Sequence, residues 1–503
     1  MGGYYLLNPW SIERITGEGE ISTLKMLQAL SKEAIYDMHD ATLRVLAETG
    51  VAVQWKPALR VFEEAGARVD WRKQIVYLPD SLVAEALARA PSRFVFEARN
   101  RRYTLELAEG CTYFTNGFGA TYVLDVASRE RRLATLEDLA RFTRLADSLS
   151  HVDYPVTQCI PQDVSKGLVG QYMALTMLAN TVKHVYCPTF SLDGALDFME
   201  MAAIVLGGEE ALRKHPTFIN SMICPTSPLQ YSADATARLM VFSQARVPFG
   251  IWSAPLAGAT GPATLAGTAV VQNAEVLAGL VLAQLVGPGT PILYGTGASV
   301  MDMMYGTPAY AAPELSLMNV VTAQLAQRYS LPTYGTGGVI DAKVPDEQAA
   351  YESMLSSVIA SLAGITIVHD AVYGILESGM TACYEQLLIC HEMVGMVRRV
   401  LEGLEVTSET LALPVIHAVQ PGGTFLNQQH TLHTFRREHW FPNLTDRSPR
   451  SEWKQHGAKD VVQRARDQLQ EIEATQTPEP LDPDILKALD AVIETRRRSQ
   501  RRQ

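Results

Sequence analysis

The sequence predicts an α/β fold: a (β/α)8 TIM barrel with an N-terminal α+β extension and a C-terminal extension that is mostly helical or irregular. Three observations predict it. Short apolar runs alternate with helical stretches eight times between residues 113 and 401. Those runs are nearly continuous rather than alternating, as parallel strands covered on both faces are. No G-x-G-x-x-G follows the first of them, which leaves a doubly wound open sheet as the weaker alternative. Eight strand–helix units in about 290 residues suit a closed barrel.

The extension comes first, over residues 1–110. Residues 1–20 read as a loose arm, with no basic segment and apolar core of a signal peptide. SKEAIYDMHDATLRVLAE (31–48) has helical spacing, and Gly50 just beyond it is a C-cap signal. A short helix over 58–64, a strand over 75–78, a helix over 80–90 and a pair of strands over 94–107 complete this part.

The barrel occupies 111–403. Its strands are expected at 113–116, 154–159, 184–190, 217–223, 249–254, 292–297, 333–337 and 365–370, with a small hairpin near 121–125 after the first. The helices are expected at 136–149, 166–180, 194–206, 233–245, 265–286, 314–329, 347–363 and 382–401. The helix over 265–286 is long and apolar, but Gln272, Asn273, Glu275 and Gln284 make it a buried barrel helix rather than a membrane span. Residues 404–503 form the C-terminal extension, with a charged helix over 457–474, a Pro-rich linker (TPEPLDP) and a last helix ending in RRRSQRRQ. A charge run of that kind reads as a solvated end.

Composition narrows the function. The net charge of −11 argues against a nucleic acid held through its phosphates and suits a small, even cationic, ligand. The six cysteines have no C-x-x-C spacing, so neither a disulfide framework nor a zinc ribbon is indicated. A cytoplasmic protein without nucleic-acid or membrane partners is expected, and barrels of this size are often homo-oligomers.

In such barrels chemistry sits at the C-terminal ends of the strands. Those ends carry Asn116, Gln158, Cys159, Tyr186, Cys187, Asn220, Cys224, Trp252, Tyr294, Tyr334, His369 and Asp370. Aromatic rings hold a quaternary ammonium ion, which donates no hydrogen bond, through their π faces. Tyr186, Trp252, Tyr294 and Tyr334 are the candidate cage, and the competing reading is that these rings fill the barrel. Asp163, Asp302, Asp341 and Asp370 are carboxylates at or just past strand ends. Asn116, Gln158 and Asn220 are candidate substrate-binding amides. His369 is the catalytic candidate, with Asp370 as an acid/base partner or with the amides as a grip on the far end of the substrate. Neighbours on a strand face opposite ways, so His369 and Asp370 share the pocket only where the strand ends. Cys159, Cys187 and Cys224 end three successive strands and can hold zinc if they converge; otherwise they are small buried hydrophobes. His430 and His433 in QQHTLH are in reach of a mouth or structural, and Cys390-His391-Glu392 reads as mid-helix packing. The loop APLAGATGPATLAG can cradle an anion on its backbone N–H groups, but it has no Walker lysine. It can equally admit a large planar cofactor from outside.

Four separated blocks carry a resemblance. They are SAPLAGATGPATLAGTAVVQNAEVLAGLVLAQLVGPGTPILYG, LDVASRERRLATLEDLARFTRLADSL, GGVIDAKVPDEQAAYES and FLNQQHTLHTFRREHWFPNLTDR. Together they resemble the trimethylamine methyltransferase family, in the expected order and over about 31–486. The resemblance implies a (β/α)8 barrel that demethylates a methylated amine. It implies a corrinoid (cobalamin), supplied by a separate corrinoid-binding protein that docks on the C-terminal mouth and takes the methyl group in its cob(I)alamin state. No tightly bound metal is expected. One branch of the family contains pyrrolysine. This sequence shows none and is more similar to the branch acting on quaternary amines such as glycine betaine. The alternatives are a zinc-dependent alkyl transferase and a barrel that binds a methylated amine without turnover.

Overall fold

The computed structural model describes residues 27–475 and 478–501. The arm expected over residues 1–20 lies outside them. The described residues form two compact units, residues 27–397 with 442–501, and residues 398–441.

Seven parallel strands organise the large unit: β1 (Tyr113–Asn116), β2 (Val185–Tyr186), β3 (Ile219–Ile223), β4 (Phe249–Ser253), β5 (Ile292–Thr296), β6 (Thr333–Thr336) and β7 (Ile367–Val372). They pair in the order β1-β7-β6-β5-β4-β3-β2, so the first strand lies beside the last and the sheet curls round. Eight helices alternate with them: α1 (Leu136–Ser148), α2 (Val169–Asn180), α3 (Leu192–Leu206), α4 (Ala233–Ala245), α5 (Leu265–Val286), α6 (Pro313–Tyr329), α7 (Glu347–Leu362) and α8 (Tyr384–Leu401).

The sheet is TIM-like but not closed. The expected strand over 154–159 is extended chain without a ladder, and β2 is a free edge of the sheet. Pro155 lacks the N–H that a ladder needs there. Past the end of β1 the backbone pairs with this stretch, Gly119 N with Thr157 O (3.1 Å), Ala120 N with Gln158 O (3.1 Å) and Ile160 N with Ala120 O (2.8 Å), and beside β1 itself one side chain stands in for the ladder. Asn116 Oδ1 accepts the Val156 N–H (2.7 Å), and Asn116 Nδ2 donates to Val156 O (2.9 Å) and to Gln158 Oε1 (2.7 Å). Asp153 adds a pair with Phe114, donating its N–H to the Phe114 carbonyl (2.8 Å) and accepting the Phe114 N–H on its carboxylate (2.7 Å).

The barrel interior is filled, as in folds of this type. The hairpin of Phe94–Phe96 and Leu105–Leu107 contributes Phe96, Leu105 and Leu107 to a core with Tyr154, Val156, Tyr186, Met222, Leu293, Tyr334 and Ile367. Phe96 stacks on His184 at 4.0 Å. His184 is held by Asn220 Oδ1 (2.9 Å), and burial pushes its imidazole down to about 4, so it is neutral.

Helix α5 is buried in this unit, and its polar residues are all engaged. Gln272 donates to Gly295 O (3.1 Å), Asn273 to Tyr329 Oη (2.9 Å) and Gln284 to Thr290 O (2.9 Å). Glu275 accepts from Ser227 Oγ (2.8 Å), Ser253 Oγ (2.6 Å) and Leu229 N (2.7 Å). By length and composition this helix could cross a membrane, but 78% of its most apolar window is buried in protein.

The N-terminal extension begins with the helix Lys32–Arg44, capped by Ser31 Oγ on Ala34 N (3.2 Å). The chain then turns at Gly50, where φ is +76°. Strands Val51–Val53, Arg68–Asp70 and Ile75–Tyr77 share a sheet with Gln230–Tyr231 from the loop after β3. At the other end, residues 498–501 of the charge run are exposed, while the start of the run packs on the large unit. Arg496 pairs with Asp193 (2.7 Å) and Asp197 (2.7 Å) of α3, with only 20% of its side chain exposed. The small unit contains helices Leu413–Val419 and Gln429–Glu438, and Arg399 donates there to Glu438 O (2.9 Å) and Gly403 O (2.9 Å).

Replacing Asn116 by Ala strands a buried N–H and a buried carbonyl of Val156. The expected loss is about 2–4 kcal/mol of stability, read as an earlier urea transition of the full chain. An unchanged transition would remove Asn116 as the tie across the gap.

Candidate active site

Alternation of side chains along a strand should send His369 and Asp370 to opposite faces. The structure escapes this at a bulge. The register of β7 against β1 shifts between Val368 and Val372, and Asp370 has φ +69°, the left-handed region. Thr115 Oγ1 accepts the Asp370 N–H (3.2 Å). Gly338 backs onto the Asp370 carbonyl, at φ +69° and with no room for a Cβ. His369 Nε2 therefore lies 3.4 Å from Asp370 Oδ1.

His369 is 2% exposed and has little freedom. Its Nδ1 is 2.7 Å from Tyr334 Oη and 3.2 Å from Thr115 Oγ1. Burial pushes the imidazole down to about 3, so it is neutral at physiological pH. With Nδ1 accepting from the Tyr334 hydroxyl, the ring proton sits on Nε2 and faces Asp370.

Aromatic rings gather round this pair. Tyr334 stacks on His369 at 4.8 Å, Tyr186 lies at 6.4 Å and Phe118 at 6.3 Å. Phe118 meets Tyr186 edge-on at 6.1 Å. Trp252 packs against the same cluster, its Nε1–H donating to Thr336 Oγ1 (3.2 Å). Gly297 leaves the space that the indole fills; a Cβ there would overlap the ring. The Tyr186 hydroxyl and Asp370 Oδ1 are buried without hydrogen-bond partners. Burial holds the Asp370 carboxyl well above the usual carboxylate range, with the Phe118 backbone N–H pulling the other way. Tyr310 and Tyr373 border the carboxylate; burial first, then nearby groups including Asp370, pushes both hydroxyls up.

Of the residues expected from sequence, His369, Tyr186, Trp252 and Tyr334 come together with Asp370. Others do not. Tyr294 points out to the helix layer and donates to Asn273 Oδ1 (2.6 Å), because its strand position faces α5. Asn220 lies at the level of His184, and Asn116 is consumed by the tie to Val156. Gln158 is engaged with Asn116 and donates to Tyr373 O (2.7 Å). Asp163 accepts the Leu136 N–H (2.9 Å), Asp302 the Met304 N–H (2.8 Å) and Asp341 the Ala311 N–H (3.0 Å). Each serves a loop. Glu392 of the mid-helix trio accepts from Thr445 N (2.8 Å), a packing role.

Cys159, Cys187 and Cys224 form no metal set: among the described residues no group of three or more His, Cys, Asp or Glu is placed to hold an ion. Burial pushes all three thiols up, Cys224 to about 11. The Gly-rich loop after β4 does not present an anion cradle either. It folds on itself, with Gly258 N on Gly261 O (3.1 Å), Gly261 N on Leu256 O (2.9 Å) and Leu256 N on Thr260 Oγ1 (2.8 Å). His430 and His433 lie on the helix Gln429–Glu438 of the small unit. Sequence reasoning missed Phe118, Tyr310 and Tyr373. All three lie beyond strand ends, and the positions of Phe118, two residues past β1, and Tyr373, one past β7, were usable signals.

Fold and site together define a TIM-like α/β protein with a carboxylate among aromatic rings at its strand ends. Comparison with known proteins gives the family. The sequence profile described as trimethylamine methyltransferase matches residues 15–501, and the chain belongs to that family. It is 38% identical over 471 residues to a trimethylamine methyltransferase of Desulfitobacterium hafniense, covering 93% of this chain and 94% of that one. It is 35% identical over 469 residues to a glycine betaine methyltransferase of the same species, covering 93% and 96%. Among solved structures, the monomethylamine methyltransferase of Methanosarcina barkeri superposes with a TM-score of 0.52 at 13% identity, covering 90% of each chain, a likeness of fold.

An ionised Asp370 attracts a cation, and a protonated one does not. Because burial holds its carboxyl above the usual carboxylate range, affinity for tetramethylammonium should rise with pH as the acid ionises and fall as it is protonated. Calorimetric titration across pH checks this. Asp370→Asn should flatten the profile and weaken binding at least about tenfold; a profile unchanged by the substitution would take Asp370 out of the site.

Proposed function

We propose that this protein is a methyltransferase that demethylates a quaternary methylated amine of the glycine betaine type, and that it passes the methyl group to a corrinoid carried by a partner protein. The observation that carries this reading is Asp370 Oδ1, buried and unpartnered among the rings of Phe118, Tyr186, Tyr334 and Trp252. Ring faces and a single carboxylate suit an ammonium ion. The family includes relatives named for trimethylamine and for glycine betaine, and their similar identities support either substrate. The absence of pyrrolysine from the sequence favours the betaine type.

The corrinoid, when docked, supplies the nucleophile that takes the methyl group. The loops that follow strand ends suit a docked partner. They expose Phe190, Met303, Met304, Tyr305 and Met380, with Met304 83% exposed. Everything else falls to this chain. Trp252, Tyr186 and Tyr334 hold the ammonium with one methyl directed outward, which is catalysis by orientation. The C–N bond breaks with its electron pair remaining on nitrogen, so the amine leaves neutral and needs no proton. His369 fits this: a neutral imidazole is no acid at physiological pH, and its geometry makes it the support for Tyr334 and the neighbour of Asp370. A single carboxylate limits how far the cation is stabilised before it loses its charge. A cytoplasmic location belongs to the same proposal.

The test mixes the protein with reduced cobalamin and, in turn, glycine betaine, trimethylamine, carnitine and proline betaine. Dimethylglycine should appear in step with the loss of the reduced corrinoid's absorbance. Trp252→Leu should raise KM at least about tenfold while slowing single-turnover transfer much less. Binding of these amines without demethylated product would favour a non-catalytic binding barrel, and wild-type behaviour of the variant would remove Trp252 from the site.

A further inference from the structure

Arg238 stands on α4 with its Nε buried and without a hydrogen-bond partner. Its Nη1 reaches only Thr189 Oγ1 and the Met222 carbonyl, both at 3.4 Å, the outer limit of a hydrogen bond. Among the described residues no carboxylate lies within ion-pair distance of it. Two other arginines in this unit have carboxylates: Arg132 has Asp138 at 2.6 Å, and Arg496 has Asp193 and Asp197 at 2.7 Å. A buried guanidinium N–H left without an acceptor is unfavourable, and a carboxylate placed there would relieve it.

The location says which partner. Thr189 follows the end of β2, and Met222 is in β3, two residues before Cys224. Tyr186 closes β2, and Tyr186 and Cys224 belong to the ring cluster beside Asp370. Burial lowers the basicity of Arg238, and Cys224, Asp234 and Tyr186 act against that burial. Tyr186 thus stands near both Arg238, whose Nε has no hydrogen-bond partner, and Asp370, whose Oδ1 has none. A pair of unmet opposite charges at one barrel end is complementary to a zwitterion, with a cation and an anion a few bonds apart.

We propose that Arg238 is the specificity-determining residue that receives the carboxylate of the methylated ammonium substrate, while Asp370 and the rings receive its cationic end. This rests on the ammonium site proposed above. Arg238 presents a planar fork matched to a carboxylate, which a Thr hydroxyl and a carbonyl do not saturate.

The experiment uses the full chain and two probes, glycine betaine and choline, which share the trimethylammonium group and differ in the carboxylate. Calorimetry of the wild type should show glycine betaine bound at least about tenfold tighter than choline. Arg238→Gln should abolish that preference by weakening glycine betaine and leaving choline unchanged, and Arg238→Lys should restore part of it. Equal weakening of both probes, or of neither, would overturn the inference. If Arg238→Gln does not fold, wild-type binding of glycine betaine against its methyl ester decides: no preference for the free carboxylate overturns it. Wild-type binding of choline and glycine betaine with equal affinity would leave the ammonium site standing and Arg238 without this role. Failure to bind either would sink both.

Discussion

The site depends on a single backbone torsion. A strand that continued regularly through Asp370 would carry that carboxylate out of the ring cluster. The left-handed φ at Asp370 turns its carboxylate back beside His369, and the cluster gains its acid. The conformation is uncommon for a residue with a Cβ and is held from both sides, by the Thr115 hydroxyl on its N–H and by Gly338 against its carbonyl. The same turn lets His369 bind Tyr334 and face Asp370 at once. Four strand ends, those of β2, β4, β6 and β7, then share one centre.

Much of the fold was legible in the sequence because apolar runs buried on both faces leave a strong periodic signal. The helices, the hairpin at Phe94–Phe96 and Leu105–Leu107, and the Gly50 cap follow from local chemistry. The gap between β1 and β2 does not. The run at 154–159 has strand-like composition, and with Pro155 in it the pairing beside β1 goes through the Asn116 amide while backbone bonds form only farther on, at Gly119 and Ala120. The site was half legible for a related reason. Position at a strand end identifies candidates, but the pleat decides which side each enters. Tyr294 and Tyr334 look equivalent in sequence, and one faces Asn273 while the other faces His369. Arg238 lies on a helix and has no strand-end signal at all.

Polarity inside this barrel divides into two kinds. Asn116, Gln158, Glu275 and Asn273 are buried and engaged by hydrogen bonds, and they serve as mortar between elements. Asp370, the Tyr186 hydroxyl and Arg238 Nε are buried and wanting partners. Satisfied groups hold the fold, and these three unsatisfied ones lie around the proposed site.

The pairing of Arg496 with Asp197 joins residues 299 positions apart. During synthesis α3 leaves the ribosome long before its partner is made, and the Asp193–Asp197 face lacks its arginine until the helix Pro483–Gln500 emerges. A chain that stops short of that helix leaves Asp197 with Gln171 alone and Asp193 without its ion pair.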